Sequence, residues 1–282
     1  MTSRKSFAIF QYSAAALVTL AILAPFAWLL ISSIFYQKDL TTVPFNLFPK
    51  EITFSRYLDI FTNPDNPTAY TFKISMINSL IVASSVTIIA LIVGSLASYA
   101  FARLEFPLRG KLLYLFLFTY MMPSIVIVIP LYVILNKMAL INTKIALILL
   151  YLSMIIPYVT WVMRSYFASV SRSFEDSAAI DGCNRLQSLW YIFLPIARPG
   201  LIATGILAFL VAWDEFFFAL IFTSTLDAKT MPVAIAEFTG KNIVDYGMIA
   251  TGGIISIIPP LLITCFCQKY IVQGMTAGGV KE

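Results

Sequence analysis

The chain has 282 residues, of which 60% are apolar, 15% aromatic and only 12% charged, with a formal net charge of +5. An ordinary soluble domain carries roughly 45–50% apolar and about 25% charged residues. One soluble core of this length cannot hide so much apolar surface, and lipid must cover the remainder. Gaps between charges then mark the predicted spans in chain order. Ser6–Gln37, Ile74–Ala102, Leu112–Asn136, Ile145–Met163 and Tyr246–Gln268 contain no charge, and Pro199–Leu226 is interrupted only by Asp214 and Glu215. Each matches or exceeds the roughly 17–25 residues of a spanning helix, whereas barrel strands need only about 9–11 of alternating polarity. The expectation is an all-α polytopic membrane protein, one domain over 1–282, with six spans at 8–35, 74–102, 112–136, 145–166, 199–226 and 246–268.

The first run is too long for a signal-peptide core and ends in Ile34-Phe35-Tyr36, an interfacial aromatic pattern, so it reads as a retained span. Six spans place both termini on one side. Arg4, Lys5, Arg103, Arg109, Lys111, Arg164, Arg172, Arg185, Arg198, Lys269 and Lys281 put 11 of the 19 basic residues there, concentrated in short connections. The positive-inside rule makes that side cytoplasmic. Prolines recur inside the spans (Pro25, Pro123, Pro130, Pro157, Pro259 and Pro260), where neighbouring helices can re-satisfy the freed carbonyls.

Residues 169–198, between the fourth and fifth spans, form a polar loop longer than a simple bundle requires. They read as two short helices. Ser173 is placed as N-cap of the first, with Asp176 three residues on as its capping-box partner, and Gly182 as the residue that ends it. The second puts Leu186, Leu189, Trp190 and Phe193 on one face, and Pro195 and Pro199 punctuate the return to the membrane.

In the fifth run, Asp214 and Glu215 lie about 15 residues from either end. Intramembrane carboxylates normally face a bundle interior or a water-filled path. Adjacent helical residues diverge by about 100°, so the pair is not expected to share one site. Either a contact with a solute on the water-filled path or a structural contact between subunits would account for them, and Trp213 beside them offers a flat apolar face with a donor. Residues 227–245 then form a Pro/Gly-bounded outer segment. The chain lacks histidine, the commonest general base and neutral metal ligand. Its three cysteines show neither zinc-type nor disulfide spacing, and no Gly-x-x-x-x-Gly-Lys phosphate loop occurs. Neither an enzyme nor a metal or cofactor site is expected in this chain.

The run Glu175-Asp176-Ser177-Ala178-Ala179-Ile180-Asp181-Gly182, followed by Ile192-Phe193-Leu194-Pro195, resembles the EAA loop of ABC importer permeases. Asp181-Gly182 and Ile192-x-Leu194-Pro195 fit that pattern in register. Asp176 stands where the family has Glu, Ser177 where it has Ala, and Cys183 where Ala usually follows Gly. Phe101-Ala102-Arg103-Leu104-Glu105-Phe106, Trp213-Asp214-Glu215-Phe216 and Gln273–Lys281 resemble the sugar-importing branch of the same family, typified by the six-span maltose-transporter permease.

The resemblance implies a type I importer permease fold in the bacterial inner membrane. It implies a second, different permease, two copies of an ATPase that bind the ATP and Mg, and an extracytoplasmic solute-binding protein delivering sugar. Nucleic acid is not among the expected partners. Glu175, Asp176, Ser177, Ala178, Ala179, Asp181, Gly182, Leu194 and Pro195 would couple to the ATPase. Trp213, Asp214 and Glu215 would line the pathway. Met231, Pro232, Phe238 and Gly240 would meet the binding protein, and Gly274, Gly278 and Gly279 the ATPase. A glycerol phosphate or other polar-solute permease is the nearest alternative. An ion-coupled secondary transporter is a more distant one, since no internal repeat is visible.

Overall fold

The computed structural model describes residues 2–43, 51–63, 65–238 and 244–277, with side chains over 7–270 of these. The described residues are helical and irregular, without strands. In chain order the helices are α1 Thr2–Ile34, α2 Gln37–Thr41, α3 Ser55–Thr62, α4 Pro67–Arg103, α5 Arg109–Met121, α6 Ser124–Lys137, α7 Lys144–Ser169, α8 Arg172–Ile180 and α9 Arg185–Ser188. A π-helical turn, Leu189–Phe193, leads into α10 Leu194–Ile196, α11 Arg198–Trp213, α12 Phe217–Phe222, α13 Met231–Glu237 and α14 Tyr246–Ala277.

Among the described residues, four helices are long and apolar enough to cross a bilayer unaided: α1, α4, α7 and α14. Two further spans are possible only if bent pairs count as one each: α5 with α6, bent by 92°, and the α9–α10 segment with α11, bent by 82°. The expected continuous helix over 112–136 is therefore corrected to a broken one. Pro123 supplies the cause, because it has no N–H and drives the preceding residue out of helical geometry. Met122 is extended, with φ −68° and ψ 127°. The expected continuous helix over 199–226 is corrected too, since α11 stops at Trp213 and α12 restarts at Phe217.

The chain falls into two compact units: Met1–Lys73 with Ala234–Ile258, and Ile74–Val233 with Pro259–Glu282. In the first, Arg56 donates to the carbonyls of Ser33 (3.2 Å) and Phe35 (2.7 Å) and approaches Asp245 at 4.0 Å. Gln37 donates to the Val244 carbonyl at 2.6 Å.

The second unit is organised around α7. Half of its most apolar stretch is buried, against none of the corresponding stretch of α1. Helices α5, α11 and α12 pack on it, and α4 runs parallel to it, tied at three levels. At one end Lys144 donates to Asn78 at 3.1 Å. Midway Ser98 donates to the Thr160 carbonyl at 3.0 Å. There Gly94 lets the backbones close, since a Cβ on it would stand 2.6 Å from Val159. At the other end Arg103 binds the last carbonyls of α7.

Candidate functional site

Helix α8 follows α7 after a sharp turn at Val170 and Ser171. The N-cap is Ser171, whose hydroxyl accepts from Ser173 N at 3.3 Å. The expected capping box of Ser173 with Asp176 is thus corrected, because the helix begins two residues earlier. Arg103 explains the early start: it donates to the Phe167 carbonyl at 2.7 Å and to that of Val170, which closes α7 there. Orphan carbonyls at a helix C-terminus favour a cation, so this is where a guanidinium fits best.

The other end of α8 agrees with the sequence. Gly182 has φ +83°. Its N–H donates to the Ala179 carbonyl at 3.2 Å, and Cys183 N–H to that of Ala178 at 2.9 Å. That pair of bonds is a Schellman motif, with glycine at the left-handed position. A true capping box does occur, at Asn184 and Gln187, where it starts α9 with reciprocal bonds of 2.7 and 2.9 Å. The Asn-x-x-Gln spacing carried that signal.

The amphipathic face expected after it is half right. Leu189 and Phe193 are fully buried, but Leu186 and Trp190 are both 59% exposed. Pro195 cannot donate to the Tyr191 carbonyl, and the turn before it widens so that Leu194 N–H reaches Leu189.

Phe193 anchors the loop from behind. Its ring meets Tyr99 and Phe167 edge-on, at centroid distances of 5.1 and 6.0 Å, and the Arg103 guanidinium lies over it at 4.8 Å. Arg103 also faces Glu175 across 3.9 Å. Glu175, Asp176 and Ala179 line a charged cavity of about 660 Å³ with Tyr99, Arg103, Arg172 and Arg185. Ala178 is buried, while Ser177, Ile180, Asp181 and Gly182 point outward with Phe174. Ile180, at 86%, is the most exposed apolar side chain of the loop. Leu194 is half-buried and Pro195 exposed. Arg103 is the determinant that the loop sequence alone does not reveal, although it is the first charge after the second apolar run.

The acid pair divides. Glu215 turns back on the chain, and its two carboxylate oxygens accept from Phe218 N at 2.8 Å and Ala219 N at 3.1 Å. It caps α12, meeting the need of freed N–H groups in an apolar setting. Asp214 ends α11 with an exposed side chain. Trp213 is 2% exposed and stacked on Phe209 at 5.6 Å. Met231, expected to meet a binding protein, lies inside the fold. It is fully buried, and its N–H donates to Ser79 at 2.8 Å. Pro232 is half-buried, and Phe238 stacks on Phe72 at 6.2 Å. Gly240, Gly278 and Gly279 lie outside the described residues, and Gly274 falls within α14 beyond its described side chains.

Residues 90–277 match the family described as "Binding-protein-dependent transport system inner membrane component". A trehalose/maltose transport system permease of Thermococcus litoralis is 34% identical over 95% of this chain and 94% of its own length. A sulfoquinovosyl glycerol transport system permease of Agrobacterium fabrum is 33% identical over 96% and 93%. A chain of a solved bacterial ABC transporter for alginate import has the same fold, with a TM-score of 0.80 and 22% identity over 96% of this chain and 98% of that one. The ion-coupled alternative falls with these matches. The chain belongs to the inner-membrane components of binding-protein-dependent transport systems, the permeases of ABC importers.

Proposed function

We propose that this chain forms half of the translocation pathway of an ATP-driven sugar importer, paired with a second, different permease above two ATPase copies. Helix α8 is its ATPase-docking element, on the cytoplasmic side with both termini. The observation that carries this is the two-faced setting of α8. Arg103 closes α7 just before it and faces Glu175 on it, Phe193 packs the return segment of the loop on Tyr99 and Phe167, and Phe174, Ser177, Ile180 and Asp181 are left outward on a helix with closed ends. A helix so held can pass on a push, because it cannot fold away from its partner.

Sugar as cargo is supported by the printed names of the relatives, which include trehalose, maltose and diacetylchitobiose carriers. A second solved neighbour is an alginate transporter in complex with an alginate-bound periplasmic protein. By extension, the outer segment after α12 receives a sugar-loaded binding protein. Asp214, exposed at the break in the fifth span, is the acid left to face the pathway.

The test is co-purification of the ATPase with the complete transporter. Ile180→Asp should weaken retention by about tenfold or more, equivalent to roughly 1.4 kcal/mol, and should lower transport with it. Full retention and full transport in that variant would remove α8 as the docking element.

A further inference from the structure

At the end of α7 remote from α8, three side chains hold a turn to which none of them belongs. Asn78 of α4, 3% exposed, donates to the carbonyls of Leu226 (2.7 Å) and Lys229 (3.0 Å). Lys144 donates to the Asp227 carbonyl at 2.5 Å and to Asn78 at 3.1 Å. Asn142 adopts φ +62°, and its backbone N–H donates to the Phe222 carbonyl at 2.9 Å. Its side-chain oxygen accepts from Ser224 N and Thr225 N, both at 2.9 Å, and its amide donates to the Thr225 hydroxyl at 2.6 Å.

Lys144 is the telling member. It is the first residue of α7, where the helix dipole disfavours a cation. Its ammonium instead serves as a fixed positive charge for a carbonyl of the neighbouring turn. Asn142 is equally specific, since a left-handed backbone is disfavoured for residues other than glycine, asparagine and aspartate.

We infer that Asn78, Asn142 and Lys144 are positioning residues that preorganise the 222–231 turn as a rigid platform for the binding protein. The inference rests on the importer reading, which places this turn outside the membrane. Ser224, Thr225 and Asp227 present exposed side chains above the clamped backbone. Holding a contact loop in its bound shape lowers the ordering cost of association, so the latch should act on affinity for the binding protein rather than on turnover.

The experiment measures ATP hydrolysis by the complete reconstituted transporter against the concentration of sugar-loaded binding protein. Lys144→Met keeps the apolar stem without the charge, and Asn142→Gly keeps the backbone conformation without the amide. Each should raise the half-stimulating concentration about fivefold or more, through the lost preorganisation, with the maximal rate unchanged. Lys144→Arg should restore much of the affinity. Unchanged half-stimulation in both variants, or a loss confined to the maximal rate, overturns the latch. A wild-type transporter that the binding protein does not stimulate sinks the importer reading and the latch together. A stimulated wild type with indifferent variants sinks the latch alone.

Discussion

At position 103, a single side chain does work that the length of the loop obscures. Its guanidinium ends α7 by binding two carbonyls, covers the Phe193 ring and faces Glu175, with its side chain only 6% exposed. These partners are unequal. The Glu175 contact is long, at 3.9 Å, and its carboxylate is 26% exposed, so Glu175→Gln should cost less than about 1 kcal/mol. Arg103→Met would strand the Val170 carbonyl and leave that of Phe167 with only the 3.4 Å bond from Val170 N–H, and a buried unsatisfied acceptor costs roughly 1–3 kcal/mol. The thermal midpoint of the purified complex and its ATPase retention should therefore fall markedly for Arg103→Met and barely for Glu175→Gln. Equal effects would show that the ion pair, and not the carbonyl clamp, holds the loop.

Helix α8 is an element whose two ends are set by different kinds of information. Gly182 was legible from sequence because only glycine readily takes the left-handed position of a Schellman turn. The N-cap was misread because Ser171 and Ser173 are both good caps, and the choice between them is made by Arg103, some 70 residues away in sequence. The spans follow the same division. Lipid excludes charge, so runs without charge give span positions directly, and α4, α7 and α14 cover the expected ranges. The same runs say nothing of continuity, which is why the breaks at Pro123 and at Asp214–Phe216 had to come from the fold. At Trp213 the sequence shows an aromatic face but not that Phe209 stacks on it. The legible end of α8 makes the sharper test. A Cβ at position 182 would meet nothing within 4 Å in this chain, so any penalty there is conformational rather than steric. Gly182→Val should cost roughly 1 kcal/mol or more at φ +83° and loosen ATPase docking. Gly182→Asn, which tolerates that conformation, should dock almost normally. If the two dock alike, the turn geometry is not what seats the helix.

For the whole molecule, the decisive quantity is which side of the membrane each end of α7 occupies. That helix has 26 residues and at 1.5 Å per residue is about 39 Å long, more than the roughly 30 Å hydrocarbon core. Its two ends therefore emerge on opposite faces, whatever the broken pairs do elsewhere. Charge is the basis for the proposed orientation: the connections and termini at the α8 end together carry 11 of the 19 basic residues, so we propose that end as the cytoplasmic one. Native Cys183, half-buried just beyond α8, reports on it. Met138, 58% exposed after α6 and shortly before α7 begins, reports on the other end. With Cys265 and Cys267 replaced by serine, a membrane-impermeant thiol reagent should modify Cys183 in inverted vesicles and not in intact cells. Met138→Cys, with Cys183 also replaced, should react in intact cells. Labelling of both positions from one face would mean that α7 does not span. Opposite labelling in the reverse sense would turn the molecule over, putting α8 out of reach of a cytoplasmic ATPase and the latched turn out of reach of a binding protein.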